Sequence, residues 1–316
     1  MDDDLTTYIE IPIELMKYFL ASFLLMTVCF LEAQSFERNT VVYEDTLGMD
    51  LYTPKDVTAP RPLLIYVHGG GFSGGKRDES GHLAFCERYA SKGWVTATIS
   101  YHLTMKGKSF SCDQPVQNKI STIFESARNI HLAVAYLIDR KEELGIDASR
   151  VVIIGSSAGA EAAIHATYWK ETMAGILPSN FKYGGVISMA GALLDARWIT
   201  KDNAIPTAFF HGTCDNLVPY ANAPHHYCDA DQTGFMMLSG SYTLAERLRS
   251  LDQQYYLMTD CGGGHEWAGK PIQEDYISMI DDFLENDVLD ARHRQTHIIY
   301  HEGKRSCDSG LSFCSE

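Results

Sequence analysis

Apolar residues along this chain gather in short continuous runs separated by stretches of helical period. The runs fall at residues 63–67, 95–100, 151–154, 185–189, 206–210 and 254–258. Runs of this length without polar alternation read as strands buried on both faces. Between them, residues 121–144 carry Ile123, Ile130, Ala133, Val134 and Leu137 close to helical spacing, and residues 242–251 and 273–284 behave similarly. Upstream, residues 41–44 and 49–52 flank Asp45-Thr46-Leu47-Gly48, which predicts an opening β-hairpin. Strands alternating with helices predict an α/β fold with a mostly parallel, doubly wound sheet. Functional groups then belong at the C-terminal ends of the strands.

Two longer irregular stretches, residues 102–118 and 220–241, are the expected pocket walls, because function is the usual reason for loops of that length. Neither is long enough for a large lid domain. Near the N-terminus, residues 18–31 form an apolar run preceded by Lys17 and followed by Glu32-Ala33-Gln34-Ser35. A membrane span needs roughly 20 apolar residues, whereas a secretory signal needs about 7–15. The expected organisation is a signal peptide at 1–35, a catalytic domain at 36–290 and a polar C-terminal surface extension at 291–316. Asp2, Asp3, Asp4, Glu10 and Glu14 make a poor basic flank for such a signal, so the expected natural start is Met16. Cys29 as a lipid-modified residue fits less well, since Val28 is not the small residue expected before it.

The strand ends carry the chemistry. The run at 151–154 leads into Gly155-Ser156-Ser157-Ala158-Gly159, a G-x-S-x-G in which a sharp turn presents Ser157 before a helix. The run at 63–67 leads into His68-Gly69-Gly70-Gly71-Phe72, whose glycines let backbone N–H groups approach a substrate closely. After 206–210 comes His211-Gly212-Thr213-Cys214-Asp215, and after 254–258 comes Cys261-Gly262-Gly263-Gly264-His265-Glu266-Trp267. The order along the chain is Ser, Asp, His.

With these motifs in this order, residues 37 to 290 resemble the α/β-hydrolase superfamily, specifically the serine esterases and lipases with an HGGGF segment. The resemblance implies an α/β-hydrolase fold, Ser157 as nucleophile, His265 as base and Asp215 as the acid that orients it. It also implies an oxyanion hole made by the N–H groups of Gly70, Gly71 and Ala158. Ser156 stands where many lipase-like relatives carry an acidic residue. The His-Gly-Thr-Cys-Asp loop looks more like feruloyl, acetyl-xylan and peptidase-like branches. The expected activity is a secreted carboxylic-ester hydrolase leaning to small acyl or feruloyl esters of carbohydrates. The rivals are a lipase-like carboxylesterase, a serine peptidase and a non-catalytic binding protein on the same fold.

Other residues compete for these roles. Glu266 adjoins His265 but points differently from its loop, so Asp215 is preferred as the acid. His68 and His211 read as loop-stabilising hydrogen-bonders, and Asp195 and Asp260 as surface acids. His225-His226-Tyr227-Cys228-Asp229 contains metal-ligating residue types, yet its spacing matches no zinc signature, so neither metal nor cofactor is expected. Phe72 is expected to pack, and Trp267 either to pack or to line the pocket.

A net charge of -15 argues against a nucleic-acid partner, which demands lysine and arginine against phosphate. Without Cys29, the cysteines are Cys86, Cys112, Cys214, Cys228, Cys261, Cys307 and Cys314, compatible with three disulfides and one free thiol in an exported protein. Cys86, in an apolar-periodic stretch, is the expected free thiol. Cys214 with Cys228, or Cys214 with Cys261, and a local Cys307–Cys314 loop are the expected pairings.

Overall fold

The computed structural model describes residues 35–55, 59–307 and 310–315. The expected signal peptide, the Met16 start and Cys29 lie outside the described residues. The described residues form twelve strands and six α-helices. In chain order these are β1 (Phe36–Glu44), β2 (Leu47–Pro54), β3 (Arg61–Val67), α1 (Ser80–Ser91), β4 (Val95–Ile99), α2 (Val116–Ile138), α3 (Lys141–Leu144), β5 (Ile146–Ser156) and α4 (Ala158–Tyr168). There follow β6 (Gly185–Met189), β7 (Ala192–Leu193), β8 (Thr207–Gly212), β9 (Asn222–Pro224), β10 (Met237–Gly240), α5 (Ser241–Ser250), β11 (Tyr255–Asp260), α6 (Ile277–Phe283) and β12 (Gln295–Tyr300).

Nine strands make one sheet in the order β1-β2-β4-β3-β5-β6-β8-β11-β12. The β1–β2 and β2–β4 pairs are antiparallel and every pair from β4 to β12 is parallel. The apolar runs are explained by burial on both faces. In β3, Leu63, Ile65 and Val67 join the core under α2, α4 and α5, while Leu64 and Tyr66 join the core under α1 and α6. β5 divides the same way, with Val151 and Ile153 on one side and Val152 and Ile154 on the other. A strand with water on neither side has no use for polar alternation.

The chain passes from β3 outward to β4 and then back to β5 on the other side, so the strand order reverses between β3 and β5. A crevice opens at such a reversal, at the carboxyl ends of the strands. The Gly69–Gly71 turn leaves β3 there, and Ser157 leaves β5 there.

Helix α2 starts earlier than its apolar period suggested. Pro115, which cannot continue a helix backward, sets its N-terminus, and the helix breaks after Ile138. The short α3 then ends on Gly145 in the left-handed region, φ 64°. The stretch 220–241, expected to be irregular, contains β9 and β10; β10 pairs with β9 on one side and with β7 on the other in a small antiparallel ribbon. It is tied to the other expected wall by the Cys112–Cys228 disulfide and by hydrogen bonds from Val116 N to Thr233 O and from Gly234 N to Cys112 O.

The C-terminal segment departs from expectation. Residues 295–300 are no appendage: they form β12, a parallel strand on β11 that completes the sheet. Its residues alternate between exposed and half-buried, as an edge strand's do, and so the segment reads as polar in sequence. Beyond it the chain turns back over the loops that follow β8 and β11, fixed there by Cys214–Cys307 and Cys261–Cys314. These bridges replace the expected Cys214–Cys228, Cys214–Cys261 and Cys307–Cys314 pairings. The expected count holds among the described residues: three disulfides and one free thiol, the buried Cys86.

Candidate active site

Ser157 sits at the turn between β5 and α4 with φ 52° and ψ −121°. Such a backbone costs a non-glycine residue on the order of 1–3 kcal/mol and persists only where its surroundings hold it. Here Ser157 N donates to Met189 O at 2.9 Å, while Ser157 O accepts from Ala160 N and Glu161 N at 2.8 and 2.9 Å. The motif glycines make the turn possible by close approach. A Cβ at Gly155 would lie 2.2 Å from Gly159 O, and one at Gly159 would lie 2.3 Å from Val67 O and 2.5 Å from His68 O. The serine turn is therefore pressed directly onto the end of β3. Ser156, the residue in place of an acid, donates from Oγ to Ala268 O at 2.7 Å and links this turn to the loop after β11.

The glycine loop after β3 runs through the left-handed region at Gly70 (φ 112°), Gly71 (φ 59°) and Phe72 (φ 58°). Ser73 N and Gly74 N both donate to Gly70 O, and a Cβ on Gly70 would meet Gly74 O at 2.3 Å. Tyr101 holds the loop from outside, its hydroxyl donating to His68 O at 2.9 Å. Phe72 is fully buried and packs on Phe110, with ring centroids 4.7 Å apart. The N–H groups of Gly70, Gly71 and Ala158 have no protein acceptor among the described residues.

On the opposite side of the crevice, Ser157 Oγ lies 2.8 Å from His265 Nε2, and His265 Nδ1 lies 2.7 Å from Asp215 Oδ2. Asp215 is buried, and its carboxylate is nonetheless fully engaged. Oδ1 accepts from Leu217 N and Val218 N at 2.9 and 3.1 Å, and Oδ2 is shared by His265 and His211. Burial by itself would raise the Asp215 carboxyl, but the hydrogen bonds from His211 and His265 outweigh it and hold the group well below the usual carboxylate range. These hydrogen bonds therefore favour the charged carboxylate. With Asp215 as acceptor, the neutral His265 carries its proton on Nδ1 and offers Nε2 as acceptor to the serine hydroxyl.

The residues weighed against these are placed elsewhere. Glu266 turns away from Asp215's position, accepting from Gly264 N at 2.9 Å and pairing with Arg305 at 2.7 Å. His68 contacts Gly69 O through Nδ1. Asp195 caps a short turn and pairs with Arg197. Asp260 is a correction: it is fully buried and accepts from Trp267 Nε1, Glu302 N and Gly303 N. Only the return of the C-terminal segment supplies two of those donors, so nothing local in sequence marks Asp260 as buried. Trp267 is fully buried and packs. In the His225–Asp229 stretch, Cys228 is consumed by its disulfide and His225 faces Glu161 at 3.5 Å. Sequence reading missed Arg305 and Ser241 as neighbours of the site, because both reach it through long-range packing. A cavity of ≈ 430 Å³ flanks the acid loop, lined by Asp215, Asn216, Tyr220, Asn222 and Tyr227 among others.

The family model described as BD-FAE matches residues 49–192, which hold the glycine loop and the serine turn. Gut esterase 1 of Caenorhabditis elegans is 28% identical over 165 residues, 52% of this chain and 27% of that protein. Fumonisin B1 esterase of Sphingopyxis macrogoltabida is 32% identical over 126 residues, 38% of this chain and 22% of that protein. The matched stretch therefore spans about a quarter of the length of these curated relatives. Among solved structures, Thermogutta terrifontis esterase 2, in a form phosphorylated by paraoxon, superposes with a TM-score of 0.57 at 19% identity, covering 79% of this chain and 94% of that one. The nine-stranded, mostly parallel sheet and the superposition on this esterase show that the chain has the α/β-hydrolase fold.

Proposed function

We propose that this protein is a secreted serine carboxylic-ester hydrolase that works through an acyl-enzyme on Ser157. The observation that carries this reading is the continuous hydrogen-bonded line from Ser157 Oγ through His265 to Asp215, facing free N–H groups across the crevice. In the reaction, Ser157 Oγ attacks the ester carbonyl carbon and its proton passes to His265 Nε2. Asp215 stabilises the imidazolium without taking a proton. The N–H groups of Gly70, Gly71 and Ala158 receive the oxyanion, each such donor being worth about 3 kcal/mol in the transition state. Collapse breaks the ester C–O bond, and the alcohol leaves with the proton from His265. Water then attacks the acyl carbon, gives its proton to Nε2, and the second collapse frees the acid and Ser157.

Relatives named as esterases support the reaction class. Export is supported by three disulfides, which persist in oxidising compartments. Among the described residues no helix is long and apolar enough to cross a membrane. The preference we assign is for small acyl or feruloyl groups on carbohydrate. The amides of Asn216 and Asn222 and the phenol of Tyr227 around the cavity beside Asp215 suit a hydroxyl-rich alcohol. The test is initial hydrolysis rates on chromogenic esters from acetate through long acyl chains and including a ferulate, for the parent and Ser157→Ala. Ser157→Ala is expected to lower kcat at least about 10⁴-fold. Rates concentrated at acetate or ferulate support the preference; an optimum at long chains replaces it with a lipase-like groove. A clean Ser157→Ala that retains activity refutes the reading.

A further inference from the structure

Asp215 Oδ2 is contacted by two imidazoles, and the proposed mechanism uses only one. His211, the fifth residue of β8, is fully buried. Its Nε2 lies 3.2 Å from Asp215 Oδ2 and 3.2 Å from Val218 O. Both neighbours are acceptors, so Nε2 carries a proton. Its Nδ1 lies 2.8 Å from Ser241 Oγ, the first residue of α5. With the proton on Nε2, Nδ1 of the neutral ring is the acceptor left for the Ser241 hydroxyl, which also lies 3.5 Å from Gly191 O, so Ser241 is compatible with the tautomer that the two acceptors at Nε2 favour.

We infer that His211 is a positioning residue for the triad acid, sharing Asp215 Oδ2 with His265, and that Ser241 supports the His211 ring from its other nitrogen. This rests on the serine-hydrolase reading above. Its physical content is a competition for one oxygen. Each N–H donated to Oδ2 draws negative charge away from the other donor. With His211 removed, His265 Nδ1–H faces a more basic carboxylate, and the His265 imidazolium is better stabilised. Asp215 also loses its anchor on the β8 side and, besides His265, is held only by Leu217 N and Val218 N on its own loop. Two effects follow together: a slower turnover from a loosened acid, and an acid limb of kcat/KM displaced to higher pH.

The other titratable groups near this line are Glu161 on α4, His225, His226 and Tyr227 on the wall, and Tyr220 against the His211 ring. All remain in the variants below, so a displaced limb is assigned to His211.

The experiment compares parent, His211→Phe, His211→Gln and Ser241→Ala in full pH profiles on one activated ester, with active sites counted by stoichiometric reaction with paraoxon. Counting by titration removes unfolded protein from the rate. In His211→Phe, kcat per titrated site is expected to fall roughly 10- to 100-fold, the scale seen when an outer hydrogen-bond partner of a functional ligand is removed. KM is expected to stay within about threefold, and the acid limb to rise by about half a pH unit or more. His211→Gln, whose side-chain amide can donate to Asp215 again, is expected to recover most of the rate and return the limb. Ser241→Ala, which touches neither Asp215 nor His265, is expected to move both readouts in the same direction by a smaller amount. An acid limb that stays in place or falls in His211→Phe, or a rate per titrated site equal to the parent's, overturns the inference. If His211→Phe yields no folded protein, Ser241→Ala decides on the same criteria. Failure of the parent itself to react with paraoxon strikes the serine-hydrolase reading instead, and so the two failures are distinguishable.

Discussion

The two halves of the proposed active site are built by different means. The nucleophile half, Ser157 with the Gly69–Gly71 loop, is held by backbone pressed on backbone at the centre of the sheet, where Gly155, Gly159 and Gly70 leave no room for a Cβ. The acid–base half lies towards the β12 edge and is held by cross-links to residues far along the chain. Cys214, next to Asp215, is bonded to Cys307, and Cys261, in the His265 loop, is bonded to Cys314. Arg305, two residues before Cys307, pairs with Glu266 and donates its backbone N–H to Gly262 O. The two loops also bond each other directly, through Cys214 N to Gly263 O and Gly262 N to Thr213 Oγ1. A strained serine turn in the core has neighbours on every side to over-determine it. Loops nearer a sheet edge have fewer, and covalent ties from the tail supply the restraint.

The comparison is broken most severely at Gly159. Gly159→Ala places a methyl 2.3 Å from Val67 O, and because backbone must move to relieve that clash, a stability loss of about 3 kcal/mol or more is expected. Thermal unfolding of the purified variant checks it; a Tm equal to the parent's would mean that the elbow is less tightly packed on β3 than described. Next in size is the tail. Removing either tail bridge as a double serine variant, Cys214→Ser with Cys307→Ser or Cys261→Ser with Cys314→Ser, is expected to cost about 2–4 kcal/mol. Turnover should fall with it at a temperature where the variant remains folded. The control is Cys112→Ser with Cys228→Ser, which should lose comparable stability while altering kcat less, since it ties the two walls and not the triad loops. Equal kcat losses for all three pairs would remove the distinction between the halves.

A smaller effect sharpens the nucleophile side through pH. Glu161, one turn into α4, is buried, and burial pushes its carboxyl up to about 8, against the pull of Lys119. A carboxyl raised in the folded state gives a stability contribution that is full below its unfolded value near 4.5 and is lost as pH rises towards 8. Glu161→Gln should therefore flatten the decline in stability between pH 5 and about 8, measured as denaturation midpoints across that range; a decline as steep as the parent's would assign it to other groups. Smallest is Arg305→Ala. The Arg305–Glu266 pair is about half exposed on the arginine side, so its loss is expected to cost at most about 1 kcal/mol and to change kcat only a few-fold.

The same contrast explains what could be read from the chain. The nucleophile half is legible because its constraints are local: an apolar strand, then glycines at fixed positions around one serine. The parallel sheet and the hairpin were legible for a similar reason, since two-sided burial writes itself as unbroken apolar runs such as residues 151–154. Asp215 and His265 were identifiable as loop residues after strands. Their restraints were not, because cysteine pairing depends on where distant segments meet. Asp260 was misread for the same cause: its partners Glu302 and Gly303 arrive from a segment whose polar edge-strand pattern resembles a tail. His211 was seen as a hydrogen-bonder, but its sharing of the Asp215 oxygen with His265 is a fact of three dimensions only.

β12 covers the outer edge of β11, the strand that delivers His265, and the residues just beyond it carry both tail cysteines. In genetic terms, a stop codon or frameshift shortly before Gln295 would spare every motif residue and still strip the restraints from the acid–base half. Alleles truncated shortly before Gln295 should therefore score as loss of function, as severe in phenotype as many missense changes at the serine turn.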